Sequence, residues 1–145
     1  MKVLSIKEPF ATLICNGDKT IETRSWKTNY RGWILIHASG NSLAKEYLIN
    51  PFVVELINGM EFNYGNIICK CELVDCIYMD DDFINNIKKN TKEYNLGLYE
   101  LGRYAWVFEN VQPIIPIPAK GKLNLWNYDG YYKLIESNLK ERFLM

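Results

Sequence analysis

The chain has 145 residues, of which 48% are hydrophobic, and its seventeen Lys and Arg balance seventeen Asp and Glu. This is the length of one compact domain, residues 1–145, with enough chain to bury a core without staples. Zero net charge excludes nucleic-acid capture by the field of the whole molecule, so any such partner must be held by a local patch.

Residues 3–6 read as a short apolar strand, and Lys7-Glu8-Pro9-Phe10 reads as a helix start with proline where its missing N–H costs nothing. Phe10, Leu13 and Ile14 recur at helical spacing, and Asn16-Gly17 ends the helix. The next stretch, GDKTIETRSW from Gly17 to Trp26, holds the densest set of chemically capable side chains. Its Thr20, Ile21 and Thr23 favour a strand, in which Thr20, Glu22, Arg24 and Trp26 share one face and Ile21 and Thr23 the other. The charged face must therefore meet something wet, and Lys19 has the wrong parity to join Glu22 and Arg24 except from the preceding turn.

A polar turn, KTNYRG, leads to Trp33-Ile34-Leu35-Ile36-His37, apolar enough for burial on both faces, and the corner Ala38-Ser39-Gly40 follows. Residues 42–47 read as helical, and Pro51 restarts a helix carrying Phe52, Val53, Leu56 and Ile57 to Asn58-Gly59. GNIICKCELVDCIY (65–78) reads as one long strand or two with a bend. Asp80, Asp81 and Asp82 open a helix over FINNIKK, complementing its dipole. Residues 89–102 read as loop and RYAWVFENV (103–111) as strand, after which Pro113, Pro116 and Pro118 cut the apolar run into edge pieces. GKLNLW reads as a last short strand, and residues 131–143 as an amphipathic helix with Tyr131, Leu134, Ile135, Leu139 and Phe143 on its apolar side. The class is α+β, with five to seven strands that curl into a small mixed β-barrel flanked by helices.

No apolar run approaches the ~20 residues of a membrane span. The four cysteines, Cys15, Cys69, Cys71 and Cys76, without a signal peptide, lead to the expectation of a reducing, cytoplasmic setting with free thiols. Three of them with a single histidine make no zinc spacing, so neither metal nor cofactor is expected.

The segment LSIKEPFATLICNGDKTIETRSWKTNYRGWILIHAS resembles the start of the ASCH domain, the activating signal cointegrator homology domain, whose signature GxKxxExR stands here as Gly17, Lys19, Glu22 and Arg24. YGNIICKCELVD, LGRYAWVFENVQPI and PAKGKLNLW are similar to that family's closing strands, so the resemblance covers most of residues 3–126. It implies a PUA-like barrel, a cleft lined by the signature residues, and binding of RNA or a nucleotide-like ligand. Some small bacterial members are amidohydrolases on acetylated cytidine that use a Lys and a Thr of the motif. The Thr stands where this chain has Glu22, so the resemblance carries over Lys19 but not the nucleophile.

These readings make Lys19 and Glu22 the catalytic candidates. The binding candidates are Lys19, Glu22, Arg24, Trp26, Tyr30, Arg31, His37 and Ser39. Burying three charges costs several kcal/mol per ion, roughly what a pair ~4 Å apart recovers, so stability alone is a poor reason for the cluster. To serve as a base, Lys19 needs a pKa lowered by about 3 from ~10.4, which Arg24 favours and Glu22 opposes. Cations interleaved with Trp26 and Tyr30 suit single-stranded RNA, phosphate on the cations and bases on the rings, with Trp33 and Trp106 assigned to the core. His37 and Ser39 sit at a strand end where a cleft rim would fall. A hydrolase of a modified nucleoside and an interaction module are the competing classes. No Ser-His-acid arrangement can be argued from the sequence.

Overall fold

The computed structural model describes residues 1–45 and 48–135. Its strands are β1 (Lys2–Lys7), β2 (Ile21–Arg24), β3 (Gly32–Ser39), β4 (Asn66–Tyr78), β5 (Tyr104–Pro118) and β6 (Leu125–Asn127). Its helices are α1 (Phe10–Cys15), α2 (Pro51–Ile57), α3 (Asp81–Ile87) and α4 (Thr91–Asn95). The strands form one sheet in the order β2-β5-β4-β3-β1-β6, with β1 parallel to β3 and the other neighbours antiparallel.

Period-2 alternation divides the sheet's apolar residues mainly between two cores, with Met79, Tyr99 and Ala105 in a third, smaller cluster. Leu4, Ile6, Ile34, Ile36, Cys69, Leu73 and Trp106 pack with Phe10, Leu13 and Ile14 of α1 on one face. Val3, Leu35, Ile67, Ile114 and Trp126 pack on the other. β3 serves both, as its unbroken apolar run requires, and Ile34 to Ala38 are at most 2% exposed. Each such Leu or Ile contributes about 1.5–3 kcal/mol by burial. The sheet curls into a half-barrel, bringing β2 close enough to β1 that Arg24 Nη2 donates to Ser5 O at 2.7 Å.

Several expectations are corrected. Cys15 and Cys69 are a disulfide rather than free thiols, because α1 crosses β4 with their Cα atoms 5.7 Å apart. Cys71 and Cys76 are free, and burial pushes the Cys71 thiol up to about 12. The stretch read as loop contains α4, whose N-cap Asn90 accepts from Glu93 N at 3.3 Å. The prolines after Val111 do not break β5: beyond Val107 it has no β2 alongside, and its pairing with β4 absorbs irregularity through register shifts. Tyr131 to Ile135 are not helical; Ile115 N and Ile135 N bond across to Lys133 O and Pro113 O, so this segment extends along β5. The rest of that expected helix, and Glu46 and Tyr47 of the earlier one, lie outside the described residues. α3 forms as expected, with Asp80 accepting from Phe83 N. Among the described residues no helix is long and apolar enough to cross a membrane.

Candidate functional site

The end of α1 builds the site. Asn16 closes the helix, Gly17 takes φ 87°, a left-handed conformation that glycine adopts without a Cβ penalty, and Lys19 N donates back to Leu13 O at 2.9 Å. The chain thus turns sharply, and Lys19 enters from the turn and not from the strand, the placement that strand parity demands. Its side chain runs inward and is 1% exposed. Nζ donates to Leu96 O, lies 4.0 Å from Glu22 Oε1, and sits 5.1 Å from the centroid of the Phe10 ring. Burial pulls the Lys19 pKa down; Glu22 and Glu93 push it back up, and Arg24 adds to the lowering.

Glu22 and Arg24 share a face of β2. Glu22 Oε2 lies 3.1 Å from Arg24 Nη2, and Oε1 accepts from Thr23 N. Arg24 Nη2 therefore serves both a carboxylate and the Ser5 carbonyl, while Nε is buried with no hydrogen-bond partner among the described residues. The wet partner of this face is a cleft of about 730 Å³. Of the expected site residues, Glu22, Arg24, Trp26, His37 and Ser39 line it. Lys19 stands behind its wall at Leu96. Trp26 leans edge-on against buried Trp106, ring centroids 4.7 Å apart, and its carbonyl accepts from Trp106 Nε1.

Tyr30 and Arg31 are not brought to the cleft. Tyr30 Oη donates to Trp33 O, and Arg31 bonds to Thr28 O and Tyr30 O with Asp75 3.8 Å away. They precede β3, whereas Ser39 ends it, about 23 Å along an eight-residue strand. Their nearness to Trp26 in sequence does not bring them to the cleft, because Tyr30 is held on Trp33 O and Arg31 on Thr28 O and Tyr30 O.

The structure adds residues that motif reading missed. Lys7, Arg103 and Lys122 line the cleft with Arg24, so that among the described lining residues four cations share it with the carboxylate of Glu22. This is a local basic patch on a neutral chain. Glu93 is 5% exposed, and its Oε1 accepts from Thr20 N and Thr20 Oγ1 at 2.5 and 2.7 Å. With the Lys92–Asp18 ion pair at 2.7 Å, it clasps α4 to the turn that carries Lys19. The spacing Asn90-x-x-Glu93, a helix-start pattern, was the available signal for α4, but nothing local pointed to Thr20. Gly97 faces the same cluster: a Cβ there would stand 2.9 Å from Thr23 Cγ2 and 3.4 Å from Lys19 Nζ.

A second group lies at the parallel β1–β3 pair, where Ser5 and His37 are direct cross-strand partners. Ser5 Oγ is 3.2 Å from His37 Nδ1 and accepts from Trp126 Nε1 at 3.0 Å, and His37 Nε2 is 2.7 Å from Ala119 O. A carbonyl only accepts, so Nε2 carries a proton.

The sequence model of the ASCH domain matches residues 4–118, more than half of the chain. The chain belongs to the ASCH domain family. It is 24% identical over 135 residues to mouse activating signal cointegrator 1 and 25% identical over 131 residues to the human protein. Each alignment takes in 88% of this chain but 22% of the relative, so this ASCH protein spans about a fifth of those relatives' length. An ASCH structure from Zymomonas mobilis superposes with a TM-score of 0.55 at 18% identity, covering 99% of this chain and 92% of that one. A Y47F mutant of the Zymomonas mobilis protein gives 0.53 at 16% identity, covering 99% and 95%. At such identity the likeness shows the shared fold. In this ASCH domain Glu22 and Arg24 line the cleft, Lys19 stands behind its wall, and Gly17 makes the turn that precedes Lys19.

Proposed function

We propose that this ASCH domain binds single-stranded RNA or a nucleotide-like ligand in the cleft at Glu22 and Arg24. The observation that carries this reading is the placement of an acceptor carboxylate and a guanidinium side by side where Lys7, Arg103 and Lys122 converge and Trp26 forms a wall. Phosphate oxygens go to the cations, a base edge donates to Glu22, and a ring packs against Trp26. Lys19 is a support in this scheme: it flanks Glu22 from the buried side and holds the Leu96 carbonyl.

The test is a titration with a short single-stranded oligoribonucleotide followed by tryptophan fluorescence. Three phosphate contacts predict an affinity loss of about 20-fold between 50 and 200 mM salt. Absence of saturable binding at low salt, or binding unchanged in Arg24→Ala, removes the RNA reading. A salt-insensitive affinity redirects it to a small uncharged ligand.

A second reading, hydrolysis of an amide on a modified nucleoside such as acetylated cytidine, draws support from the burial that lowers the pKa of Lys19. Against it, the position of the motif threonine is held by Glu22, and the Lys19 amine is committed to Leu96 O. Acetate release from acetylated cytidine, abolished in Lys19→Ala, would place this reading first.

A further inference from the structure

The Ser5–His37 group has the connectivity of an activated nucleophile. His37 donates from Nε2 to Ala119 O, so the neutral ring presents the lone pair of Nδ1 to the Ser5 hydroxyl. The hydroxyl hydrogen is thereby directed onto a base, and that base is oriented by a third group, the relation a nucleophilic serine requires. Trp126 Nε1 donates to the same oxygen and fixes the position of the hydroxyl. Both residues line the cleft, at the C-terminal half of two parallel strands.

The space over the pair is kept by a glycine. A Cβ on Gly121 would lie 2.8 Å from His37 Cε1, 3.1 Å from Nδ1 and 3.1 Å from Ser5 Oγ. Gly121 is not among the positive-φ glycines, so its backbone conformation does not demand glycine; the clearance above the serine and histidine does. Lys7 and Lys122 stand two residues from Ser5 and one from Gly121 on the cleft wall, and Arg24 donates to the Ser5 carbonyl.

We infer that Ser5 and His37 form a nucleophile–base pair for hydrolysis of a carboxylic ester that carries an anionic group, the ester over Gly121 and the anion on Lys7 and Lys122. Ser5 Oγ bonds to the acyl carbon as its proton passes to His37 Nδ1. The ester C–O bond breaks, and the departing alcohol takes that proton. Water then gives a proton to Nδ1 and adds to the acyl carbon, and Ser5 leaves with the proton restored. The sum is ester plus water to acid plus alcohol. Nothing in this requires nucleic acid, so it stands apart from the RNA reading.

The whole chain is incubated with a fluorophosphonate probe, and the tryptic peptide 3–7 is examined by mass spectrometry. The expected result is an adduct on Ser5, with fluoride released. Labelling should slow at least tenfold in His37→Gln and in Gly121→Ala, which keeps both reacting side chains, and vanish in Ser5→Ala. For turnover, kcat/KM should be at least fivefold higher for 4-acetoxybenzoate than for phenyl acetate. Absence of a Ser5 adduct in the wild-type chain overturns the proposal, and so does an adduct rate unchanged in His37→Gln. Equal kcat/KM for the two esters overturns the anionic class. Since the assay contains no RNA, these results leave the oligonucleotide titration to be judged separately.

Discussion

Arg24 and Ser5 close the half-barrel: the guanidinium at the end of β2 reaches the Ser5 carbonyl in β1 at 2.7 Å while holding Glu22 at 3.1 Å. One side chain therefore joins two strands that are not neighbours in the sheet and presents the motif carboxylate to the cleft.

Arg24→Ala should uncouple these roles. Oligonucleotide affinity is expected to fall about tenfold, and the slope of log K against log salt to flatten by about one phosphate contact. Arg24→Lys should restore little, because the lysine ammonium ends one bond short of the Nη2 position that serves both the carboxylate and the carbonyl. A titration at three salt concentrations checks both.

Lys19 gives a pH signature. Its folded pKa lies below the ordinary value of 10.5 because it is buried. The unfolded chain therefore binds more protons than the native one between those two values, and this contribution to stability rises with pH through that window. It is fully present above 10.5 and lost as pH falls through the folded pKa. In Lys19→Met this rise should disappear, which paired urea melts from pH 7 to pH 10 would detect.

Glu8 has the opposite sign. It is wholly buried, and burial raises its pKa above 4.5 although Thr12 donates to it from N and Oγ1. Its contribution is fully present below 4.5 and lost as pH rises through the folded value. Glu8→Gln keeps the shape and removes the charge. It should stabilise the protein at pH 7 and leave it unchanged at pH 4, measured by thermal melts at both.

The disulfide joins residues 54 apart in sequence, a loop whose closure is worth about 4 kcal/mol on a chain-entropy estimate. A dithiol reductant should lower the guanidinium midpoint of the wild-type chain but not of Cys15→Ala/Cys69→Ala. Thiol titration of the denatured, unreduced protein should find the two thiols of Cys71 and Cys76.

Gly97→Ala tests the clasp around Lys19. The new methyl meets Thr23 Cγ2 and Tyr99 Cε2 at 2.9 Å, so something must shift. Overpacking of this kind costs about 1–3 kcal/mol. The same substitution should weaken oligonucleotide binding, because Gly97 and Thr23 line the cleft beside Glu22. Chemical denaturation and fluorescence titration read the two effects.

What the chain alone determined is what local periodicity encodes. The alternation in GDKTIETRSW placed Glu22 and Arg24 on one wet face, the glycine turn allowed Lys19 to reach them, and the unbroken apolar run of β3 announced burial on both sides. Tertiary structure decided everything that depends on residues far apart in sequence. Glu93 meets Thr20 across 73 positions, His37 meets Ala119 across 82, and Cys15 meets Cys69 across 54. It also left Tyr30 and Arg31 out of the cleft and brought Lys7, Arg103 and Lys122 to it in their place. The physical reason is that alternation tells which way a side chain points, whereas sheet order and curl set what it meets there, and those follow from strand pairing across the whole chain.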